Sequence, residues 1–387
     1  MPPVLTHLPK LLVVHPSFPP AWLDGGPVKT VFELCRHLVQ LGHEVTVLTS
    51  THDSHGSKYA ARGVRDMEGM RVVYERRLPP WRYCFAPGQP FQAVKWAIWA
   101  DVVVLMSVFD FNSAYSGLIA RLAGKPLVVS PRGNLSPVAL RKTALLKKVH
   151  GALFDRPSIN RALFVHCTSS LDSAWASRYA PRAVIRLIPN GVAPPSSSAD
   201  SVRSLDRGPT LPTNIVFIGR FHPVKNIHVL VEAFSSTSLP NIRLTLAGSD
   251  DGSYSSEIRR LASTDPRIAV LPFTPDPWTI LSQASFVVLP SLTENFGNVI
   301  LEALSIGKPV VVTETSGVAE LVRRTGAGLV AQPTASSLRC ALHQMVSGFQ
   351  NFSSIALASA PNIRERYSWP TLAQSFSNAI LERLSKR

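Results

Sequence analysis

Cysteine is scarce in this chain. Its 387 residues include four cysteines, and no two of them stand at the C-x-x-C spacing of zinc and redox sites. They are Cys35, Cys84, Cys167 and Cys340. The sequence therefore predicts neither a zinc site nor a disulfide framework, and the pattern suits a reducing cytoplasm.

Long apolar runs are absent as well. No uninterrupted apolar stretch reaches the roughly 18–20 residues that cross a bilayer. Near the start, the apolar run Leu11–Val14 ends at His15 without a small-residue cleavage pattern, so we expect a strand rather than a secretory signal. Hydrophobic residues still make up 45% of the chain, which predicts a globular protein, and the length suits two domains.

Acidic residues are fewer than basic ones: the chain has 25 Asp and Glu and 40 Lys and Arg, which gives a net charge of +15. This charge suits nucleic acid, an anionic membrane surface or phosphorylated substrates as partners. No nucleic-acid motif occurs, and the basic residues are not interleaved with aromatics, so nucleic acid is not predicted. Residues 141–149 could form a basic amphipathic helix against anionic lipid or an ordinary solvated helix. Residues 81–100 are rich in aromatics, which suit an interface or a core.

The G-x-G-x-x-G fingerprint of dinucleotide-binding proteins is missing too. In its place, Gly25, Gly26 and Pro27 follow the first strand and precede a helix expected over residues 28–41. A glycine pair there lets backbone N–H groups approach a phosphate. Gly-Gly is also common in plain turns, and Pro27 removes one N–H donor, so both interpretations stay open.

Apolar runs alternate with helical patterns along the whole chain, which predicts an α/β protein with parallel sheets. The tetrapeptide Pro-Asn-Gly-Val at residues 189–192 predicts a turn that closes the first domain. Residues 193–212, rich in Pro and Ser, predict a linker. We therefore expect domains over residues 1–192 and 213–369, followed by a last helix over 370–387.

The most informative stretch is residues 286–323. An apolar run over 286–289 stops at Pro290, a polar loop follows, a helix ends at Gly307, and a second apolar run covers 310–312. This is a strand–loop–helix–strand unit of a doubly wound sheet. Ligands of such sheets bind at the carboxyl ends of the strands.

The loop and helix of this stretch carry groups that suit a sugar nucleotide. Backbone N–H groups around Phe296, Gly297 and Asn298 should form the amino end of the helix, where anions bind. Glu294 lies on the loop and Glu302 inside the helix, and their carboxylates could accept hydrogen bonds from sugar hydroxyls. From the residues alone, two solvated surface carboxylates are an equally good interpretation.

A second loop carries cations. The strand expected over 214–218 is followed by Gly219 and Arg220, and Lys225 stands five positions further on. A guanidinium and an ammonium at the end of a strand can neutralise a diphosphate without a metal, although both could be plain surface cations. The acidic pair in residues 249–252 is interpreted as a turn rather than as a metal site.

Taken together, these motifs resemble retaining GT-B glycosyltransferases of glycosyltransferase family 4, also called glycosyl transferases group 1. The resemblance lies in the E-x7-E spacing from Glu294 to Glu302, the Phe-Gly pair, the following Gly-Lys-Pro-Val-Val-Val strand and the G-R-x4-K-N segment from Gly219. It implies two Rossmann-like doubly wound domains that face a central cleft. The first domain would bind the acceptor and the second the nucleotide sugar, with the last helix crossing back to the first domain.

The resemblance also implies roles for single residues. Glu294 would hold the donor sugar and Glu302 the ribose, while Arg220 and Lys225 would stabilise the leaving diphosphate. The catalytic set is therefore Glu294, Arg220 and Lys225; the donor-binding set adds Gly25, Gly26, Gly219, Asn295, Phe296, Gly297, Asn298 and Glu302; and Arg132 would bind the acceptor. No metal and no cofactor is implied beyond the donor itself, a nucleotide-diphosphate sugar. The leaving phosphate would take the proton of the acceptor hydroxyl.

The function implied is a metal-independent, hexosyltransferase-like enzyme of polysaccharide or lipid-linked glycan biosynthesis, with a saccharide or lipid-linked saccharide as acceptor. It would be cytoplasmic, or peripheral on the inner face of a membrane. Two alternatives stay open: a nucleotide-sugar epimerase or hydrolase of the same fold, and a basic membrane- or nucleic-acid-binding protein with a degenerate site. The sequence specifies neither the sugar, nor the base, nor the acceptor.

Overall fold

The computed structural model describes residues 7–141, 143–192, 213–239, 241–249, 252–274 and 276–386. The chain forms two compact units. The first unit comprises Met1–Asn190 together with Trp369–Arg387, and the second unit comprises Gly191–Ser368. The predicted linker, residues 193–212, lies outside the described residues.

The first unit is built on a sheet that, within the described ranges, has the strand order β3-β4-β2-β1-β5-β6-β7-β8. All neighbours pair in parallel except β3, which runs antiparallel to β4. The strands are β1 (Leu11–Val14), β2 (Val45–Ser50), β3 (Gly63–Met67), β4 (Met70–Glu75), β5 (Val102–Leu105), β6 (Leu127–Val129), β7 (Phe164–Cys167) and β8 (Ile185–Leu187). Because β1 lies between β2 and β5 and is buried on both faces, its sequence is a continuous apolar run.

Helices cover both faces of this sheet. The helices that precede the second unit are α1 (Gly26–Gln40), α2 (Gln89–Trp99), α3 (Phe111–Leu122), α4 (Pro137–Arg141), α5 (Ala144–His150), α6 (Arg156–Asn160) and α7 (Ser170–Tyr179). A π-helical turn, Gly151–Asp155, joins α5 to α6. Side chains of β1 alternate between the two layers: Leu11 and Val13 pack in the core with α1, and Leu12 and Val14 pack in the core with α2 and α3.

The sheet of the second unit is parallel throughout, with the order β11-β10-β9-β12-β13-β14 in its described part. Its strands are β9 (Asn214–Ile218), β10 (Arg243–Ala247), β11 (Ile268–Leu271), β12 (Phe286–Leu289), β13 (Val310–Thr313) and β14 (Gly328–Ala331). In sequence order this is 3-2-1-4-5-6, the doubly wound arrangement, and the direction of winding reverses between β9 and β12. The predicted fold class, two doubly wound α/β domains, is confirmed.

The remaining helices are α8 (Ile227–Ser235), α9 (Ser253–Ala262), α10 (Trp278–Gln283), α11 (Asn298–Ser305), α12 (Ala319–Thr325), α13 (Ala335–Ser347), α14 (Phe349–Arg366) and α15 (Trp369–Leu384). The last of them belongs to the first unit, where Trp369, Leu372 and Phe376 join the core beneath α1. His43 and Ser377 add a side-chain hydrogen bond of 2.8 Å between the α1–β2 turn and this helix. None of the helices in the described ranges has the length and apolar character of a membrane span.

Candidate functional site

Two loops of the second unit flank the point where the strand order reverses, because one follows β9 and the other follows β12. Their backbones are joined by a hydrogen bond of 2.9 Å from the Leu292 N–H to the Val224 carbonyl. The buried side chain of Asn226 donates to the carbonyls of Pro290 at 3.1 Å and Pro333 at 3.2 Å. The two loops are therefore fixed to each other by buried polar contacts.

Asn226 itself is in the left-handed backbone region, with φ at 57°. It ends the 3₁₀ turn Pro223–Lys225 and directly precedes α8. Asn tolerates this conformation better than most residues with a Cβ. Unlike glycine, it also supplies a side-chain amide, and that amide makes both contacts to the neighbouring loops.

The turn before Asn226 brings a cation to a carboxylate. The Lys225 ammonium group forms an ion pair and hydrogen bond with Oε2 of Glu294, and both side chains are half-buried. Two residues that the sequence analysis singled out on different loops are thus in direct contact. Neither is fully enclosed, so a ligand with its own charged or hydroxyl groups can reach both.

The backbone of Glu294 is held on a third segment. Its N–H donates to the Thr315 carbonyl at 3.1 Å, and its carbonyl accepts from the Gly317 N–H at 2.9 Å. Further along the loop, the hydroxyls of Thr313 and Thr315 both donate to the Ser291 carbonyl, at 2.6 and 2.7 Å. These supporting contacts could not be predicted from the sequence, since they join loop residues more than 20 positions apart and follow no spacing rule.

Gly297 is the N-cap residue directly before α11 and adopts a φ of 94°. A Cβ at this position would lie 2.9 Å from Cδ2 of Leu289 and 3.2 Å from Cγ1 of Val318. Both the backbone angle and the close packing therefore require glycine. The neighbouring Phe296 is buried in the core of the second unit, which fixes the start of the helix.

The helix α11 has one side that is only half-buried. Its residues Ile300, Leu301, Ala303, Leu304 and Ser305 are buried, and Asn298, Val299 and Glu302 are half-buried. Asn298 and Glu302 are four residues apart, so they share this side. At a rise of about 1.5 Å per residue, Glu302 lies about 6 Å further along the axis than Asn298. The first N–H groups of the helix and the half-buried Asn295 complete this edge of the site.

The other two predicted residues of the second unit sit on the loop after β9. Gly219 is half-buried, and its N–H donates to the Ala247 carbonyl at 3.0 Å. Arg220 is exposed, and its side chain has no hydrogen bond or ion pair to any residue that the structure describes. The structure thus brings Lys225 to Glu294, while Arg220 is exposed.

No group of three metal-ligating side chains is found over the described ranges of the chain. The acidic pair that was interpreted as a turn, Asp250 and Asp251, lies outside them.

In the first unit, the predicted glycine pair follows a 3₁₀ turn, Trp22–Asp24, and leads into α1. Gly25 has a φ of 92°, and a Cβ there would meet no atom within 4 Å, so only its backbone angle favours glycine. Gly26 is exposed and opens α1, two residues before the predicted start. The Asp24 carboxylate accepts from the Ser54 N–H at 3.1 Å and from its hydroxyl at 2.5 Å. This support of the glycine loop was not predicted.

Arg132 lies in the loop after β6, in the left-handed region with a φ of 50°. Its guanidinium donates to the Thr30 hydroxyl of α1 at 2.8 Å. Burial lowers the pKa of Arg132 to about 10, although the nearby Asp172 carboxylate opposes that effect. Burial also raises the pKa of Asp172 to about 6. The hydrogen bonds that its carboxylate accepts from the N–H groups of Thr168 and Gly133 oppose this effect.

A cavity of about 10 Å³ adjoins Arg132, enough for one water molecule. Arg132, His166 and Asn190 supply its polar lining, and side chains of α1 and α15 supply the apolar part. Burial and the nearby Arg132 lower the pKa of His166 to about 3, although the hydrogen bond to the Ile188 carbonyl opposes that effect. Its other ring nitrogen is hydrogen-bonded to the Ser130 hydroxyl. The Nε of Arg132 has no partner within the described part of the chain.

Two family models match the chain, one in each unit. Residues 25–191 match the model described as "Glycosyl transferase 4-like domain". Residues 212–347 match the model described as "Glycosyl transferases group 1". Together they span most of the chain, and the second contains both loops of the candidate site.

Curated relatives of similar sequence are also glycosyltransferases. An uncharacterized glycosyltransferase of Methanocaldococcus jannaschii, MJ1607, is 29% identical over 171 residues, which is 42% of this chain and 43% of that protein. One component of the phosphatidylinositol N-acetylglucosaminyltransferase of Arabidopsis thaliana is 26% identical over 382 residues, which is 94% of this chain and 80% of that protein. The first alignment thus spans less than half of the relative's length.

Solved structures share the fold. The HepE protein of Anabaena, crystallised in complex with UDP-glucose, matches with a TM-score of 0.74 over 97% of this chain and 100% of that chain, at 19% sequence identity. Both units, with their doubly wound sheets, are included in this match. With a glycosyl transferase 4-like domain followed by a glycosyl transferases group 1 domain, the chain is a glycosyltransferase of the GT-B type.

Proposed function

We propose that this transferase moves a sugar from a nucleoside diphosphate to an acceptor hydroxyl and retains the configuration at the anomeric carbon. The observation that carries the proposal is the contact between Lys225 and Glu294 beside the amino end of α11. It lies where the winding of the sheet reverses, which is where doubly wound sheets bind nucleotides. One cation, one carboxylate and a helix terminus there match a diphosphate joined to a sugar.

The ion pair suggests how donor binding prepares the site. In the unliganded chain, the Lys225 ammonium is neutralised by Glu294. A diphosphate would replace Glu294 as the partner of Lys225 and release that carboxylate to accept hydrogen bonds from sugar hydroxyls. Arg220, which is exposed, would turn onto the same diphosphate, as a planar guanidinium suits phosphate oxygens.

Charge stabilisation is then the main catalytic contribution. The bond between the anomeric carbon and the diphosphate oxygen breaks, and negative charge grows on the leaving phosphate. Once the donor is bound, Lys225, Arg220 and the N–H groups that begin α11 would stabilise that charge. No protein nucleophile, metal or cofactor is part of the proposal.

The acceptor oxygen bonds to the anomeric carbon on the face that the diphosphate leaves, which retains the configuration. The acceptor proton passes to an oxygen of the leaving phosphate. Glu302 and Asn298, which share the half-buried side of α11, would hold the ribose of the nucleotide. Gly219, Asn295, Phe296 and Gly297 would line the donor through their backbones.

The remaining proposed contacts belong to the first unit. Gly25 and Gly26 leave the backbone at the start of α1 without side chains, which would allow close approach of a diphosphate. Arg132 is proposed to bind the acceptor, because its desolvated guanidinium keeps an Nε donor without a partner in the described structure.

For the acceptor class we propose a saccharide or a lipid-linked saccharide, as used in polysaccharide or lipid-linked glycan assembly. The name of the Arabidopsis relative includes phosphatidylinositol, which supports a lipid-linked acceptor. The Anabaena complex supports UDP-glucose as the first donor to test.

The direct test is product analysis by NMR with a panel of nucleoside diphosphate sugars, with and without saccharide and lipid-linked saccharide acceptors. We expect a glycoside with the donor's anomeric configuration and a free nucleoside diphosphate. Inverted product would contradict the retaining mechanism, while acceptor-independent release of sugar or an epimerised donor would identify a hydrolase or an epimerase. Activity should persist in EDTA, and its complete loss would contradict the proposed independence from metals.

A further inference from the structure

The most exposed apolar side chains of the described residues are concentrated in one part of the first unit. The six large apolar residues with the highest exposure are Phe91 (79%), Leu122 (79%), Leu145 (76%), Leu146 (72%), Ile98 (69%) and Leu153 (60%). Two lie on α2, one ends α3, two lie on α5, and one lies in the π-helical turn. Single exposed leucines are ordinary, but such a concentration marks an interaction surface.

Helices α2, α3 and α6 lie on one face of the first sheet. Ala93 and Trp96 of α2, Ala120 of α3 and Ile159 of α6 belong to one core cluster, together with the inward side chains of β1 and β5. In this layer α3 packs against both α2 and the π-helical turn. Because the inner sides of α2, α3 and α6 cover the same face of the sheet, their free sides point away from it together. We call these free sides, with that of α5, the outer face.

Within the outer face, the apolar residues follow helical spacing. Leu145, Leu146 and Val149 fall on one side of α5, and Leu153 continues that side into the π-helical turn. On α2, Phe91, Val94 and Ile98 repeat the pattern, and the opposite side, with Ala93 and Trp96, is buried. The core covers one side of α2, whereas α5 has no buried residue, and the apolar side chains named above are exposed on both helices.

The charge around the outer face is almost entirely positive. Residues 81–162 contain eleven Lys and Arg, three Asp and no Glu. Two of those aspartates, Asp110 and Asp155, are buried. Arg141 and Lys148, by contrast, are exposed next to the apolar residues of α5.

We propose that the outer face docks on an anionic lipid bilayer. Exposed leucines and a phenylalanine would enter the boundary between headgroups and acyl chains, and the surrounding cations would contact the lipid phosphates. A second copy of the chain fits less well, because a symmetric contact would bring two surfaces of the same positive charge together. Nucleic acid would pair with the cations but would not bury the exposed leucines. The inference goes beyond the proposed chemistry and does not rest on it.

The test is binding of the full chain to vesicles of phosphatidylcholine alone and of phosphatidylcholine mixed with phosphatidylglycerol, measured by co-sedimentation without any nucleotide sugar. We expect binding to the anionic vesicles, little to the neutral ones, and weaker binding as salt rises. The double variant Leu145→Gln/Leu146→Gln should weaken binding about tenfold or more, since two apolar side chains no longer enter the bilayer. Arg141→Glu/Lys148→Glu should weaken it by about tenfold or more and reduce its dependence on salt.

Two variants serve as matched controls. Leu187→Gln changes an exposed leucine of the first unit that lies on β8, and Arg339→Glu reverses an exposed charge on α13. Both should bind anionic vesicles as the unmodified chain does. Thermal melts check that every variant is folded, which is expected because the altered side chains are exposed.

Several results would overturn the proposal. One is equal binding to neutral and anionic vesicles, and another is unchanged binding of both outer-face variants. A third is a dimer in solution that Leu145→Gln/Leu146→Gln converts to a monomer, because the outer face would then be a self-association surface. Transfer to a soluble acceptor is measured separately, so a failure of the proposed chemistry would leave the vesicle result unaffected.

Discussion

At the scale of single residues, the candidate site depends on groups that are far apart in sequence. Lys225 and Glu294 are 69 positions apart, and their contact joins two loops of the second unit. The sequence singled out both residues through the motifs in which they stand. It could not predict that they contact each other, because the pairing depends on how the loops after β9 and β12 are held.

Truncation of either partner should impair transfer strongly. Lys225→Ala and Glu294→Ala are each expected to lower kcat/KM by ~100-fold or more, as is typical when a preorganised charge-stabilising group is lost. Steady-state kinetics with the donor identified by the panel measure the effect. Arg260→Ala, which removes an exposed cation on α9, is the matched control and should leave kcat/KM near the original value. Near-normal rates in both site variants would refute their assigned roles.

Gly297 provides a second test at this scale. Gly297→Ala should reduce the free energy of unfolding by about 1–3 kcal/mol, because the backbone at this residue is left-handed. The close approach of the new Cβ to Leu289 should add to that loss. Gly326→Ala is the control: it has a φ of 67°, but its Cβ would have only an ordinary contact at 3.8 Å. Denaturant unfolding should therefore show a larger loss for Gly297→Ala. An equal loss in the two variants would show that the close packing does not matter.

At the scale of elements, the loops are positioned by polar contacts rather than by apolar burial. Asn226 is the central residue, since its side chain bonds to two carbonyls on segments that follow β12 and β14. This position requires both a residue that tolerates positive φ and a buried side-chain amide, and two substitutions can distinguish these requirements.

Asn226→Gly keeps the left-handed backbone conformation accessible but removes both hydrogen bonds. Asn226→Ala also removes both hydrogen bonds, and in addition alanine adopts the left-handed conformation less readily than asparagine. We expect Asn226→Gly to lower the free energy of unfolding by about 1–3 kcal/mol, through the unpaired carbonyls. Asn226→Ala should lose more. Denaturant unfolding measures both, and a stability equal to that of the unmodified chain in Asn226→Gly would show that the amide contacts contribute nothing.

The elements also show what the sequence could predict. The runs over 286–289 and 214–218 indicated strands because central parallel strands are buried on both faces and so are apolar throughout. The antiparallel strand β3 was not predicted, since Gly63–Met67 is polar and mostly exposed and therefore lacks that pattern. The start of α1 was placed two residues late, because Gly26 and Pro27 resemble a loop, although proline is readily accommodated in the first turn of a helix.

At the scale of the whole molecule, both sheets wind in the same order, apart from the extra edge strands of the first unit. The alternation of strands and helices predicted this class of fold, and the family matches agree with it. The supporting contacts of the site could not be predicted in the same way. Thr313, Thr315 and Asp24 act through hydrogen bonds that depend on tertiary geometry and leave no periodic trace in the sequence.

Buried histidines give the molecule a pH-dependent stability. Burial lowers the pKa of His166 to about 3 and that of His15 to about 4, from 6.5. Below pH 6.5 the unfolded chain therefore binds protons that the folded chain does not, and stability falls as the pH falls toward those values. Each such histidine contributes a slope of about 1.4 kcal/mol per pH unit within that window. The raised pKa of Asp172 acts in the opposite direction over part of it.

His166→Gln should remove one of these slopes, and Gln can still contact Ser130 and the Ile188 carbonyl. Between about pH 4 and 6, the free energy of unfolding of the variant should depend on pH less steeply, by about 1.4 kcal/mol per unit. Denaturant unfolding at a series of pH values measures this. The same slope in both proteins would mean that His166 accepts a proton in the folded state.

The central claim is that the second unit binds a nucleoside diphosphate between Lys225 and the amino end of α11. Titration calorimetry of UDP, GDP, ADP and TDP against the unmodified chain and against Lys225→Ala tests it most directly. We expect at least one diphosphate to bind and Lys225→Ala to weaken its binding by about tenfold or more, the usual effect of losing a charge-assisted hydrogen bond. Binding of that diphosphate with unchanged affinity to Lys225→Ala, or no binding of any of the four to the unmodified chain, would contradict it.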